Sequence, residues 1–284
     1  MFALASLLLL QAAPDTFNLP VGAAGSVDLQ PGITETRSGR QVDMAALAAA
    51  AKPYQFVFVG ESHDKLSDHQ NQARIIKALV DAGRDVVVGF EMFTRPNQAS
   101  LAPLTLQRWT LEEFAERSSW KTDWNMDFNL YRPIFEVVRE KKLPMVALNI
   151  PRDWVRVVGR GGVKAMTNDM LAQMPPLDVS QADHRTVFDS MMGGHSGSMD
   201  NTYAAMVMWD TAMADSALKA MRWRSKNAVM VIVAGFGHNA YNQGIGLRLR
   251  QQSDQRAQTL NVIPVGTTAR VSRGLADFVI RDAP

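Results

Sequence analysis

Phe56-Val57-Phe58-Val59-Gly60-Glu61-Ser62-His63 joins an apolar run to a glycine, an acid and an imidazole. An uninterrupted apolar run predicts a strand covered on both faces, the condition of a parallel sheet between layers of helices. The phrase returns as Val229-Met230-Val231-Ile232-Val233-Ala234-Gly235-Phe236-Gly237-His238. Both runs end in Gly-x-x-His, and a glycine lets the chain turn sharply off a buried strand where a larger residue is hindered.

Further strands are predicted near 85–90, 144–148 and 260–265, with helices between them. At 67–82, Ile75, Ile76, Leu79 and Val80 recur at helical spacing, and Gly83 stands where a left-handed C-cap belongs. Shorter helices are predicted at 41–51, closed by Pro53, and at 242–252. Strand and helix alternate, so the expected class is α/β, a mainly parallel sheet flanked by helices. Two helix-rich insertions, about 97–140 and 153–226, are expected to form a cap over one end of the sheet.

In the first insertion Trp109, Phe114, Trp120, Trp124 and Phe128 mark apolar faces, suited to a core or to a greasy pocket wall, and Pro133 reads as a first-turn residue. The second is interrupted near 159–162, at Pro175-Pro176 and near 193–197. It carries His184, His195, Tyr203, Asp210 and Met191, Met192, Met199, Met206, Met208 and Met213, adaptable side chains that fill a core or face a large flat apolar ligand. On a continuous helix Tyr203 and Asp210, seven apart, share one face.

With 46% apolar and 20% charged residues the 284-residue chain can bury a sizeable core, and its even texture predicts one domain over 41–284 after an arm at 14–40. A net charge of +2 without a basic stripe argues against nucleic acid as a partner. The absence of cysteine excludes disulfides, thiolate ligands and a lipidated cysteine, so the protein is not expected to be a lipoprotein. Residues 1–13, with Phe2-Ala3-Leu4-Ala5-Ser6-Leu7-Leu8-Leu9-Leu10 before small residues, read as a secretory signal and predict a periplasmic or secreted protein.

The polar residues follow the strands. Four strand ends deliver Glu61 with His63, Glu91, Asn149 with Arg152, and His238. Ligands of open parallel sheets bind beyond the carboxyl ends of the strands, so these groups are expected to share one site. Glu61, His63, Glu91 and His238 suit general acid–base chemistry. His63, Glu91 and His238 also suit a divalent metal ion with an open position for water. His69, near a helix start, reads as a surface or capping residue. No phosphate-binding glycine loop, dinucleotide fingerprint or Gly-x-Ser-x-Gly elbow is present, and Ser62 is a poor candidate nucleophile beside His63.

Taken in order, Gly60-Glu61-Ser62-His63-Asp64, Phe90-Glu91-Met92-Phe93, Tyr131-Arg132-Pro133-Ile134, Ala147-Leu148-Asn149-Ile150-Pro151-Arg152, Trp209-Asp210-Thr211-Ala212-Met213-Ala214 and Gly235-Phe236-Gly237-His238 resemble the ChaN family of haem-binding, iron-regulated proteins. That family lies in the wider Tiki and erythromycin-esterase-like superfamily. The resemblance implies a capped α/β domain, export, and haem held between two paired subunits through tyrosine, with a haem-uptake protein as partner. Tyr203 is the candidate iron ligand, with His195, Asn149 and Arg152 as further cofactor-binding candidates. The superfamily's metal-dependent proteases imply a rival function, hydrolysis of an ester or peptide bond at His63, Glu91 and His238.

Overall fold

The computed structural model describes residues 15–192 and 199–284; the proposed signal at 1–13 and His195 lie outside them. In chain order the strands are β1 (Ser26–Asp28), β2 (Gly32–Glu35), β3 (Arg40–Val42), β4 (Phe56–Glu61), β5 (Asp85–Thr94), β6 (Met145–Asn149), β7 (Ala228–Gly235), β8 (Thr259–Pro264), β9 (Arg270–Ser272) and β10 (Phe278–Arg281). Eight of them form one sheet in the order β3-β2-β10-β8-β4-β7-β5-β6. From β10 to β6 every neighbouring pair is parallel, and β2 and β3 continue the sheet as an antiparallel hairpin. β1 and β9 pair separately.

The expected α/β class is therefore correct, and all five anticipated strands are present as β4 to β8. Alternate residues of the central strands serve opposite faces, as a period of two requires. Val57, Val59, Val86, Val88, Phe90, Val229, Val231 and Val233 pack under helices Leu66–Asp81 and Phe128–Glu140. Phe56, Phe58, Val87, Met230, Ile232 and Ala234 pack under Met213, Ala214 and Ala217 of helix Asp200–Met221 and under Ile245 and Leu249 of helix Ile245–Gln252. Each such side chain, fully buried, contributes about 1.5–3 kcal/mol, which is why neither face of β4 or β7 carries a polar residue before its glycine.

Helix ends follow local chemistry. Asp43 caps helix Met44–Ala50 by accepting from the Ala46 N–H, and Gly83, at φ +78°, follows helix Leu66–Asp81. The predicted helix at 41–51 begins late because Arg40–Val42 is β3. Likewise, the predicted helix at 242–252 starts only at Ile245, Asn242 having a positive φ. Pro133 is not a first-turn residue. Asp127 accepts from the Asn129 N–H and starts the helix at Phe128, which leaves the proline in the interior. The arm at 14–40 contributes β1 and β2, and the C-terminal segment contributes β10. These strands are too short, and partly too exposed, to show a period.

The first insertion folds mainly as core. Phe114, Trp120, Phe128 and Phe135 pack stacked, tilted or edge to face against Phe90, Phe93 and one another. In the second, helix Arg152–Gly161 packs its buried Val155 and Val158 against Ala204, Ala205 and Met208 of helix Asp200–Met221. Between the two, helices Asn168–Gln173 and Ala182–Met192 complete the described part. No helix among the described residues is long and apolar enough to cross a membrane.

Candidate functional site

The order of the strands assembles the site. β7 lies between β4 and β5, and the parallel register sets Glu61 beside Gly235 and Phe90 beside Val233. Glu61, Glu91 and the turn carrying His238 therefore leave the sheet side by side, although up to 177 positions separate them (238 minus 61). Glu61, His63, Glu91 and His238, all expected at this edge, are brought together there.

Glu61 is buried and anchors one half. Its Oε1 lies 2.6 Å from His63 Nδ1 and accepts from the Tyr131 hydroxyl at 2.9 Å; its Oε2 lies 2.9 Å from His69 Nδ1. Burial pushes the carboxyl up, but the two imidazoles outweigh it and hold Glu61 below the ordinary range. Burial likewise opposes protonation of His63, but its hydrogen bond with Glu61 and the charge of Glu91 leave it raised. The His63 side chain remains 41% exposed. Its ring meets the edge of Trp124 at a centroid distance of 4.7 Å.

Glu91 and His238 anchor the other half. Glu91 accepts from the Gly235 N–H at 2.8 Å, and its Oε1 lies 3.2 Å from His238 Nε2. On the opposite side His238 Nδ1 lies 2.7 Å from Asp210 Oδ1. Burial disfavours charge on all three groups. Against it, His238 holds Glu91 down to about 2, and the two carboxylates push His238 up to about 10. Asp210 continues the chain inward, with His184 Nε2 3.1 Å from its Oδ2 and the Tyr203 hydroxyl 3.3 Å from His184 Nδ1.

Several expectations change here. His69 is not a surface or capping residue: it is fully buried, its Nε2 3.2 Å from the His63 carbonyl and its ring centroid 3.8 Å from that of Tyr131. Its position on the same helical face as Ala73 and Ile76 was the available signal. Asp210 announced itself as a charge among Met208, Ala212 and Met213, since a buried carboxylate needs a partner. Tyr203 is 2% exposed, and its hydroxyl points inward to the Gln181 carbonyl and His184. It presents no oxygen to a ligand at the sheet edge. Asn149 fixes the turn after β6, donating to the Glu91 carbonyl and accepting from the Ile150 N–H. Arg152 is exposed and donates to the Trp124 carbonyl at 3.1 Å.

The metal reading of His63, Glu91 and His238 lacks geometric support. Among the described residues no three His, Asp or Glu side chains are arranged to hold an ion, and both ring nitrogens of His238 are committed to carboxylates. The residues suit a flat apolar group better. Half-buried Trp124 lies against His63 and Trp209 against His238, with Met191 and Met206 beside Gly237 and Phe236 beside Gly60. Trp209 meets the His238 ring edge-on at 6.0 Å, and the Met191 sulfur would lie 2.6 Å from a Cβ placed on Gly237. A separate cavity of about 450 Å³, lined by Glu35, Tyr54, Asn261, Arg273 and Asp277, opens beyond the amino ends of β4, β8 and β10 and shares no residue with this edge.

The sequence model of the family described as haem-binding uptake, Tiki superfamily, ChaN matches residues 47–249. Among solved structures, the chain is similar to the haem-bound ChaN of Campylobacter jejuni, at 17% identity and a TM-score of 0.64, over 89% of this chain and 97% of that one. It is less similar to the type III effector HopBA1, at 12% identity and a TM-score of 0.47 over 84% and 92% of the two chains. A mutant of erythromycin esterase EreC in its open conformation gives 12% and 0.49 over 86% and 78%. No curated protein matches the chain. The match covers more than half of the sequence, from Leu47 to Leu249, and the fold agrees with it: the chain belongs to the ChaN haem-binding uptake family of the Tiki superfamily.

Proposed function

We propose that this protein binds haem at the carboxyl edge of its sheet. The observation that carries the reading is the half-buried rim of Trp124, Trp209, Phe236, Met191 and Met206 around a polar floor of imidazoles and carboxylates. A porphyrin has such a surface, apolar in the plane and polar at the metal and the propionates. A flat ligand resting on this rim would have one face uncovered. A second copy of the chain would cover that face, in keeping with the cofacial haem binding of the Campylobacter jejuni relative. Family membership together with the apolar segment at 1–13 supports a role outside the cytoplasm in haem or iron uptake, passing haem to or from a partner protein.

Titrating the full chain with haemin at micromolar concentration tests this. A Soret shift that saturates at a fixed ratio of haem to protein is expected; a response linear in haemin, like that of haem adsorbed to an unrelated protein, rejects it.

The His63–Glu61 and His238–Glu91 pairs favour a second reading, hydrolysis of an ester or amide bond with these groups as acid and base. The residues present do not fit a metal ion, so the reaction would rest on the side chains alone. Turnover of an activated ester that persists in both His63→Ala and His238→Ala excludes it.

A further inference from the structure

The link between helix Asp200–Met221 and β7 puts an indole in water. Every residue of the run Arg222-Trp223-Arg224-Ser225-Lys226-Asn227 is exposed, and Trp223, at 86%, is the most exposed large apolar residue among those described. So large an apolar body in water forfeits the stabilisation that burial would bring. The Arg222 guanidinium lies over the indole, 4.9 Å from its centroid, so cation and ring are presented together. The link is pinned at both ends. The Arg224 N–H donates to the Met221 carbonyl, and the Ser225 hydroxyl donates to Asp85. The Asn227 side chain donates to the Gly83 carbonyl, and Arg84 donates to the Asn227 carbonyl.

The free charges of this region are of one sign. Among the described residues no carboxylate pairs with Arg222, Arg224 or Lys226, whereas Asp215 takes Lys219 and Asp254 takes Arg256. Lys219, Arg222 and Arg256 line a groove of about 610 Å³ over Phe56, Leu218 and Met221. Exposed Lys52 adds a cation at the same end of the sheet, where Arg84 donates to its carbonyl as well as to that of Asn227. A helix C-terminus attracts basic residues through its dipole, which accounts for Arg222 and Arg224 but not for an indole in water.

We infer that this link docks the protein on an anionic phospholipid surface, with the Trp223 indole among the headgroups and Arg222, Arg224 and Lys226 on the lipid phosphates; the inference is independent of the haem reading. Tryptophan has the amphipathic ring that settles at a bilayer interface, and free cations beside it are drawn to anionic lipid. A protein partner would require an interface core depleted of charge, and every neighbour of Trp223 in the link is polar or charged. The docking end lies opposite the ligand edge. β7 runs from Ala228, next to the link, to Gly235, beside Glu61. At about 3.3 Å per residue this sets the ligand edge up to about 23 Å further from the bilayer, where a partner protein can reach it.

The test is cosedimentation of the full chain with vesicles of phosphatidylcholine mixed with phosphatidylglycerol, and with vesicles of phosphatidylcholine alone. Binding to the mixed vesicles that weakens as salt is added is expected. Combined Arg222→Gln, Arg224→Gln and Lys226→Gln should weaken it about fivefold for each cation removed, and Trp223→Ala about tenfold. Combined Arg108→Gln, Lys121→Gln and Lys164→Gln, which removes the same charge from exposed positions elsewhere, should leave it nearly unchanged. Brominated phosphatidylglycerol should quench the wild type more than Trp223→Phe, which reads contact of this indole with lipid even if residues 1–13 also hold the chain to the bilayer. Circular dichroism like that of the wild type shows that each variant is folded. The proposal is overturned if the mixed vesicles bind no protein, if phosphatidylcholine alone binds it equally, if the two triple variants lose binding alike, or if quenching in Trp223→Phe equals that of the wild type.

Discussion

Glu61 of β4 stands directly beside Gly235 of β7 in the parallel register, and the missing side chain at Gly235 is the space in which the His63 ring lies. Gly235→Ala would place a methyl group 2.9 Å from His63 Cε1. The imidazole is half-exposed and can give way, so the cost in stability should stay near about 1 kcal/mol. The displaced ring should lose its hydrogen bond with Glu61, and its pKa should fall. Nitrogen-15 NMR of the histidine side chains across pH reads this directly; an unchanged His63 titration contradicts the crowding.

His238 lies between Glu91 and Asp210 with all three buried. Removing the cation leaves two carboxylates facing a void. His238→Ala should cost about 3–5 kcal/mol in urea denaturation, the range for a broken buried pair. A loss below about 1 kcal/mol would mean that the carboxylates find other partners.

Stability should also depend on pH in a definite direction. His238 is pushed up to about 10 from an unfolded value of 6.5, so its contribution is complete below about 6.5 and disappears as pH rises toward 10. Glu91 is held down to about 2 from 4.5, so its contribution is complete above about 4.5 and is lost as pH falls toward 2. Urea midpoints should therefore be highest between about 4.5 and 6.5 and decline toward alkaline pH. His238→Gln should flatten the alkaline decline; an equally steep decline in that variant assigns it elsewhere.

Tyr131→Phe removes one donor from a buried carboxylate and keeps the ring that packs on His69. The expected loss is about 2 kcal/mol, typical of a hydrogen bond to a charged group. Wild-type stability in this variant would mean that the two imidazoles alone satisfy Glu61.

Much of the site was legible because chemistry and local structure coincide in the sequence. Val57, Val59, Val231 and Val233 on one face and Phe56, Phe58, Met230 and Ile232 on the other make β4 and β7 strands buried on both faces, and the acids and histidines following them must emerge at one edge if the strands run parallel. His69, Tyr131 and the inward role of Tyr203 were not legible. Each depends on which neighbour a helical face meets, and helical spacing specifies a face without naming what lies opposite it.

The sequence by itself determined the α/β class, the five central strands and the edge at which Glu61, His63, Glu91 and His238 would appear. Their strand runs are long, apolar and bounded by glycine, so local physics suffices. Only the tertiary structure decided that β7 inserts between β4 and β5, that Asp210 crosses from helix Asp200–Met221 to hold His238, and that Tyr131, Tyr203 and Tyr241 are buried while His63 stays partly exposed. Strand order and side-chain partners are set by the packing of segments far apart in the chain, and no local pattern records that choice.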